Sequence, residues 1–188
     1  HKHTVGPVAV SDATKWMPSG GRQLLCRGSG SVATPIGTAS GTSATAFDIA
    51  SHFSLPAGFF EYAGGGLEVV AQFQKTGADA NISSFSLRCG KLSTASIDTI
   101  VAVSTTAAAN RETILHGRMR VTTIGAANTA VFTSGSLQPN ANNASSLSDK
   151  SSGSFDTDLV LYVVPAAMCA SNGAATHALI SMEVWWVA

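Results

Sequence analysis

Five histidines are the residues of this 188-residue chain best suited to metal or proton chemistry. His1 would join a free terminal amine to its own imidazole, and His52, His116 or His177 could supply a second ring, a nitrogen set that suits copper. His3, two positions behind the amine, gives a separate arrangement of the adventitious copper- and nickel-binding kind. Asp48 and His52 stand four residues apart and would share a helical face, but nothing around them is patterned as a helix, so a local hydrogen bond is expected. Asp156 and Asp158 alternate onto one side of an extended stretch, where Asp149 or Asn143 could add oxygens for calcium; solvated loop carboxylates are the plainer reading. His116, Arg118 and Arg120 form a short basic stripe, suited to the carboxylates of a neighbouring subunit.

Other chemistries find no support. There is no Gly-x-Ser-x-Gly elbow for a serine hydrolase, and the Gly64-Gly65-Gly66 triplet runs into a strand pattern instead of opening a helix over a phosphate. Cys26, Cys89 and Cys169 lie far apart with no Cys-x-x-Cys pair, so three buried thiols are expected, with one disulfide and a free thiol as the alternative. The expectation is a protein without catalytic set, cofactor or resident metal.

Charge narrows the partners. Only 12% of residues are charged, against about 25% in ordinary soluble domains, so Ser, Thr, Asn, Gln and Gly must cover much of the surface. Eleven basic and eleven acidic residues cancel. Neither nucleic acid nor an anionic membrane is an expected partner, because no long-range field would gather them. Near-zero net charge favours association, which points mildly to assembly. No apolar run reaches the roughly 20 residues that span a bilayer as a helix, and the start of the chain has no secretory-signal pattern, so the chain reads as soluble.

The elements that must position these residues are strands. In Leu67-Glu68-Val69-Val70-Ala71-Gln72-Phe73-Gln74, Leu67, Val69, Ala71 and Phe73 share one face, with Glu68, Gln72 and Gln74 on the other. After a polar turn at 75–81, Phe85, Leu87 and Cys89 line one side of 83–89, and the two segments are expected to pair as a hairpin. In 111–124, Leu115, Met119 and Val121 face one way, His116, Arg118 and Arg120 the other. Further strands are expected at 4–10, 23–26, 97–104, 129–137, 158–164 and 179–187. Residues 28–45 could be a loop or a weak edge strand, Pro56-Ala57-Gly58 signals a turn, and 138–154 reads as a long exposed loop. About eight to ten short strands and no helical stripe predict an all-β, two-sheet antiparallel β-sandwich of jelly-roll type. It would form one domain over 1–188, with 1–20 as an N-terminal arm.

The last strand carries the signal for a contact surface. Ile180, Met182, Val184 and Trp186 alternate onto the core face, which leaves Trp185 and Val187 outside. An outward Trp is costly to leave wet, so either a loop of the same chain or a subunit interface should cover it. Phe59, Phe60 and Tyr62 after the Pro56 turn pose the same question, as does Trp16.

The succession Thr45-Ala46-Phe47-Asp48-Ile49, Ser54-Leu55-Pro56-Ala57-Gly58, Gly66-Leu67-Glu68-Val69, Ser86-Leu87-Arg88-Cys89-Gly90 and Leu115-His116-Gly117-Arg118-Met119-Arg120 resembles the jelly-roll virion surface proteins of tailed bacteriophages, the fibre, spike and decoration modules. The likeness covers roughly residues 40–187. It implies a non-enzymatic homotrimer on the virion surface, in contact with other virion proteins, and it brings no catalytic residues with it. Fibre proteins usually bring a long anchoring segment ahead of such a domain; its absence here favours a short decoration protein or a separately encoded tip. A receptor-binding tip that recognises bacterial surface glycans is the alternative. His1 also resembles the start of the β-sandwich lytic polysaccharide monooxygenases, secreted enzymes whose copper brace uses a terminal His. The other motifs of that family around His1 are missing, as is a disulfide framework, and a His at the start implies processing or an upstream stretch.

Overall fold

The computed structural model describes residues 10–12, 15–17, 21–43, 45–47, 53–60, 64–76, 83–90, 99–106, 112–125, 130–137, 148–151, 156–169 and 175–187; for 10–17, 99–106, 130–137 and 148–151 it describes the backbone alone. Among the described residues every regular element is a strand: β1 Val10–Asp12, β2 Lys15–Met17, β3 Arg22–Ser29, β4 Gly37–Ser40, β5 Thr45–Ala46, β6 Phe53–Leu55, β7 Gly66–Thr76, β8 Ser83–Gly90, β9 Thr99–Thr106, β10 Glu112–Val121, β11 Ala130–Leu137, β12 Ser148–Ser151, β13 Leu161–Met168 and β14 Thr176–Val187. Several are shorter than the sequence pattern can register, which is why the described strands outnumber the expected eight to ten. The 4–10 candidate lies mostly outside the described residues.

Two antiparallel sheets form a β-sandwich. The seven-stranded sheet runs β12-β11-β10-β7-β14-β3, with β4 also on β14; the five-stranded sheet runs β5-β13-β8-β9, with β6 also on β13. β1 and β2 pair separately, within the stretch expected as an arm.

One expectation is overturned here. β7 and β8 are not a hairpin: β7 pairs with β10 and β14, β8 with β13 and β9, so the two strands lie in opposite sheets. Their apolar faces meet across the core, where the rings of Phe73 and Phe85 stack with centroids 5.0 Å apart. The core is built from Leu67, Val69, Ala71, Leu115, Met119, Val121, Met182 and Val184 of the larger sheet against Leu87, Cys89, Leu161 and Val163 of the smaller. Each fully buried Leu, Val, Phe or Met contributes about 1.5–3 kcal/mol over its exposed form.

The alternation in β14 is also interrupted. Leu179 faces Phe73 and Ser181 faces Gln72, so Ile180 is the extra residue of a bulge; it is buried as expected but breaks the two-residue alternation. The neighbouring edge breaks at the same level. β3 and β4 lie end to end along β14, and the chain leaves the sheet after Gly30 N–H donates to Ile180 O at 2.8 Å, returning where Ile36 N–H donates to Leu179 O at 2.9 Å. Both readings of residues 28–45 were therefore partly right, as loop and as edge strand. An edge so interrupted gives a poor template for another strand.

Residues 138–154 were expected to be loop throughout, but β12 pairs with β11 inside that span. Residues 156–160 form a turn ahead of β13, not the start of a strand.

Candidate functional site

The outer face of the seven-stranded sheet carries a chain of contacts between charged and aromatic side chains. β14 lies between β3 and β7, and β7 between β14 and β10, so residues that alternate away from the core on these four strands share one surface. Leu24, Trp185, Glu68 and Arg118 occupy one cross-strand row; Arg27, Glu183, Val70 and His116 occupy the next.

Arg22 ties the first row together. Its guanidinium sits 4.1 Å from the centre of the Trp185 ring, and its Nε lies 3.1 Å from Glu68 Oε2. The other Glu68 oxygen, Oε1, is 2.6 Å from His116 Nε2. Trp185 Nε1–H donates to Glu183 Oε2 at 3.1 Å, and Glu183 Oε1 is 3.3 Å from Arg27 Nε. Six side chains from four strands thus hold one another in place, with Gln72 donating to Glu112 at 3.2 Å alongside. Individually these exposed contacts are weak, about 0.2–1 kcal/mol for an ion pair and about 0.5–1 kcal/mol for an exposed cation–π contact. Their value lies in fixing planar groups in set orientations.

Trp185 and Val187 do point away from the core, both half-buried. Among the described residues, the Arg22 side chain of the adjacent strand lies over the Trp185 ring. Arg118 and Arg120 are exposed on β10, and neither makes an ion pair among the described residues. His116, the third member of the basic stripe, is instead engaged by Glu68.

Phe60 does not belong to an outer surface. It is 2% exposed and packs with Phe59 against Trp186, the Phe59 ring meeting the indole edge-on at 5.4 Å and the Phe60 ring at 5.8 Å. The bunched aromatics after Pro56 fold inward because Trp186 offers them an apolar wall, so Phe60 is a core residue and Phe59 a half-buried one. Tyr62 and the Trp16 side chain lie outside the described residues.

The side chains weighed as metal ligands can be followed where they are described. His177 is fully buried; Nδ1 meets Ala39 O at 3.1 Å and Nε2 meets Ser83 Oγ at 2.9 Å, so both ring nitrogens are spent inside the core. His116 sits on the opposite side of the sheet from it. His1, His3, Asp48, His52 and Asn143, and the side chain of Asp149, lie outside the described residues. Asp156 and Asp158 do not line an extended stretch. They flank a turn in which Asp158 N–H donates to Asp156 Oδ1 at 2.9 Å, the ordinary turn-forming use of an Asp. Among the described residues no three His, Cys, Asp or Glu side chains gather as a metal cage.

A second surface escaped the sequence reading. Thr157, buried between three loops, accepts at O from Gly58 N–H at 3.0 Å, donates N–H to Gly125 O at 3.2 Å and accepts at Oγ1 from Gly125 N–H at 2.8 Å. That knot brings Ile124, Leu159 and Val160, which are 45%, 45% and 42% exposed, onto loops joined at one end of the sandwich. No periodicity marks them, since all three sit in turns.

No protein-family model matches the chain, and a search of curated proteins found no match. Among solved structures the chain is similar to the CBM2 module of the evolved Dit of Lactobacillus casei BL23 phage J-1, with a TM-score of 0.33 and 7% identity over 72% of this chain and 68% of that one.

Proposed function

We propose that this chain is a non-enzymatic surface module of a tailed-phage particle, of the trimeric capsid-decorating or fibre class, and that it works by contact instead of chemistry. One observation carries the reading: among the described residues, the polar groups singled out for chemistry on the outer face and in the core are committed to structure. Glu68, Glu183 and His116 are held in the outer-face network, while His177 and Ser83 are shut inside the core. What remains is a stiff sandwich with a prearranged polar face. The sequence resemblance to phage virion modules supports the setting on a particle surface.

Self-association would use the loop end that carries Ile124, Leu159 and Val160, because exposed large aliphatic side chains gathered on joined loops are the material of a subunit contact. Recognition of a bacterial surface glycan, the alternative role, is favoured by Trp185 and its fixed polar neighbours on the broad face.

Light scattering on the purified chain tests the assembly reading. A trimer at micromolar concentration whose mass is unchanged by copper is the expected result. A monomer that takes up one tightly bound copper would overturn it in favour of an oxidase using His1.

A further inference from the structure

From the arrangement of Trp185, Glu68, Arg118 and Arg120 we infer that the outer face of the seven-stranded sheet binds a saccharide bearing acidic groups. The inference deepens the reading of this chain as a contact module and rests on it.

Three features of the face select the ligand. First, its centre is charged. Interfaces between proteins tend to exclude charge from the middle of the patch. Here Glu68, Glu183, Arg22 and Arg27 surround the indole, so a second protein would have to strip water from all of them at once. A hydroxyl-rich ligand would not, because each hydroxyl can both donate to a carboxylate and accept from a guanidinium.

Second, the planar groups are fixed before any ligand arrives. Glu183 tethers the indole N–H, and Arg22 is shared between the indole and Glu68. Groups held this way lose little freedom on binding, which is what a weakly binding ligand such as a sugar needs. Arg22 lies against one face of the half-buried indole, and the part of the ring still exposed supplies apolar surface for the C–H side of a sugar ring.

Third, among the described residues the charge on the face does not close on itself. Glu68, Glu112 and Glu183 all have partners within the face, whereas Arg118 and Arg120 are exposed and make no ion pair among the described residues. Trp185, Glu68 and Arg118 stand in one row on three successive strands, which places the Cα atoms of Trp185 and Arg118 about 10 Å apart. A saccharide over Trp185 would extend toward two guanidinium groups that ask for a carboxylate or phosphate.

Polygalacturonate oligomers and neutral dextran oligomers serve as probes, with binding followed by titration calorimetry and mass in solution by light scattering. The acidic oligomer should bind in a salt-sensitive manner and dextran should not. Trp185→Ala should abolish binding, and the double variant Arg118→Ala, Arg120→Ala should weaken it at least tenfold, with melting and mass unchanged in both. The inference is overturned if polygalacturonate does not bind, if dextran binds equally well, or if neither variant alters binding. It is also overturned if the arginine variants change the mass in solution, which would make this face a subunit contact. A monomeric wild type that still binds the acidic oligomer would refute the trimer and leave this site standing.

Discussion

His177 and Ser83 join the two sheets through the core. The imidazole of β14 reaches across to β8, with Nε2 2.9 Å from Ser83 Oγ, while Nδ1 meets the Ala39 carbonyl of β4. Both residues are fully buried, and the edge of Phe85 closes over the ring with centroids 5.4 Å apart. Nδ1 carries the proton that the Ala39 carbonyl accepts, which leaves Nε2 to accept from the serine hydroxyl. Burial holds the His177 pKa below the ordinary imidazole value; the Ala39 carbonyl pulls it back upward, and nearby Lys75 pushes it further down.

Stability should therefore depend on pH. The unfolded chain takes up a proton at this histidine as pH falls through about 6.5, while the folded chain resists until lower pH. Stability from this group is complete above that range and is lost as pH drops through the folded value. Thermal melts from neutral to mildly acidic pH should show a falling midpoint, and His177→Gln should flatten that dependence. An equally steep fall in the variant would assign the effect to other groups.

Ser83→Ala should destabilise the sandwich by about 1–3 kcal/mol, because it leaves a buried ring nitrogen without its partner. Urea unfolding measures this directly, and an unchanged midpoint would show that the inter-sheet bond contributes nothing net.

Gly66→Ala should be severe for a different reason. Gly66 stands opposite Arg120 in the β7–β10 ladder, and a Cβ there would run into the backbone carbonyl of Met119, which no side-chain rotation can relieve. Overpacking of this kind typically costs about 1–3 kcal/mol. A variant with wild-type unfolding behaviour would mean that β7 and β10 can separate freely at this point.

All three cysteines are free thiols, with Cys89 and Cys169 buried and Cys26 only half-buried. Burial raises the pKa of Cys26, so little reactive thiolate forms even there. A thiol-specific disulfide reagent should label the native protein slowly, at Cys26 first, and label three sites after unfolding. Labelling of a single site after unfolding would reveal a disulfide.

Leu159→Asp should convert the proposed trimer to monomer with little change in melting temperature, since Leu159 is already exposed and packs no core. Unchanged mass by light scattering would exclude the loop end as the subunit contact.

The alternation in the sequence was enough to say which residues face inward. Leu67, Val69, Ala71 and Phe73 on β7, and Leu115, Met119 and Val121 on β10, are all buried as read, because the two-residue period of a strand is a local property of the chain. The outward position of Trp185, Arg118 and Arg120 followed from the same rule. Alternation cannot say whether two apolar faces lie side by side or face to face. That is why β7 and β8, expected as a hairpin, prove to be in opposite sheets, with Phe73 stacked on Phe85 across the core. The bulge at Ile180 was equally illegible, since one extra residue changes register without changing composition. Only the tertiary structure placed Arg22 over Trp185 and beside Glu68, or His177 against Ser83. Those contacts join residues far apart in the chain, and what brings them together is strand order, which no local pattern encodes.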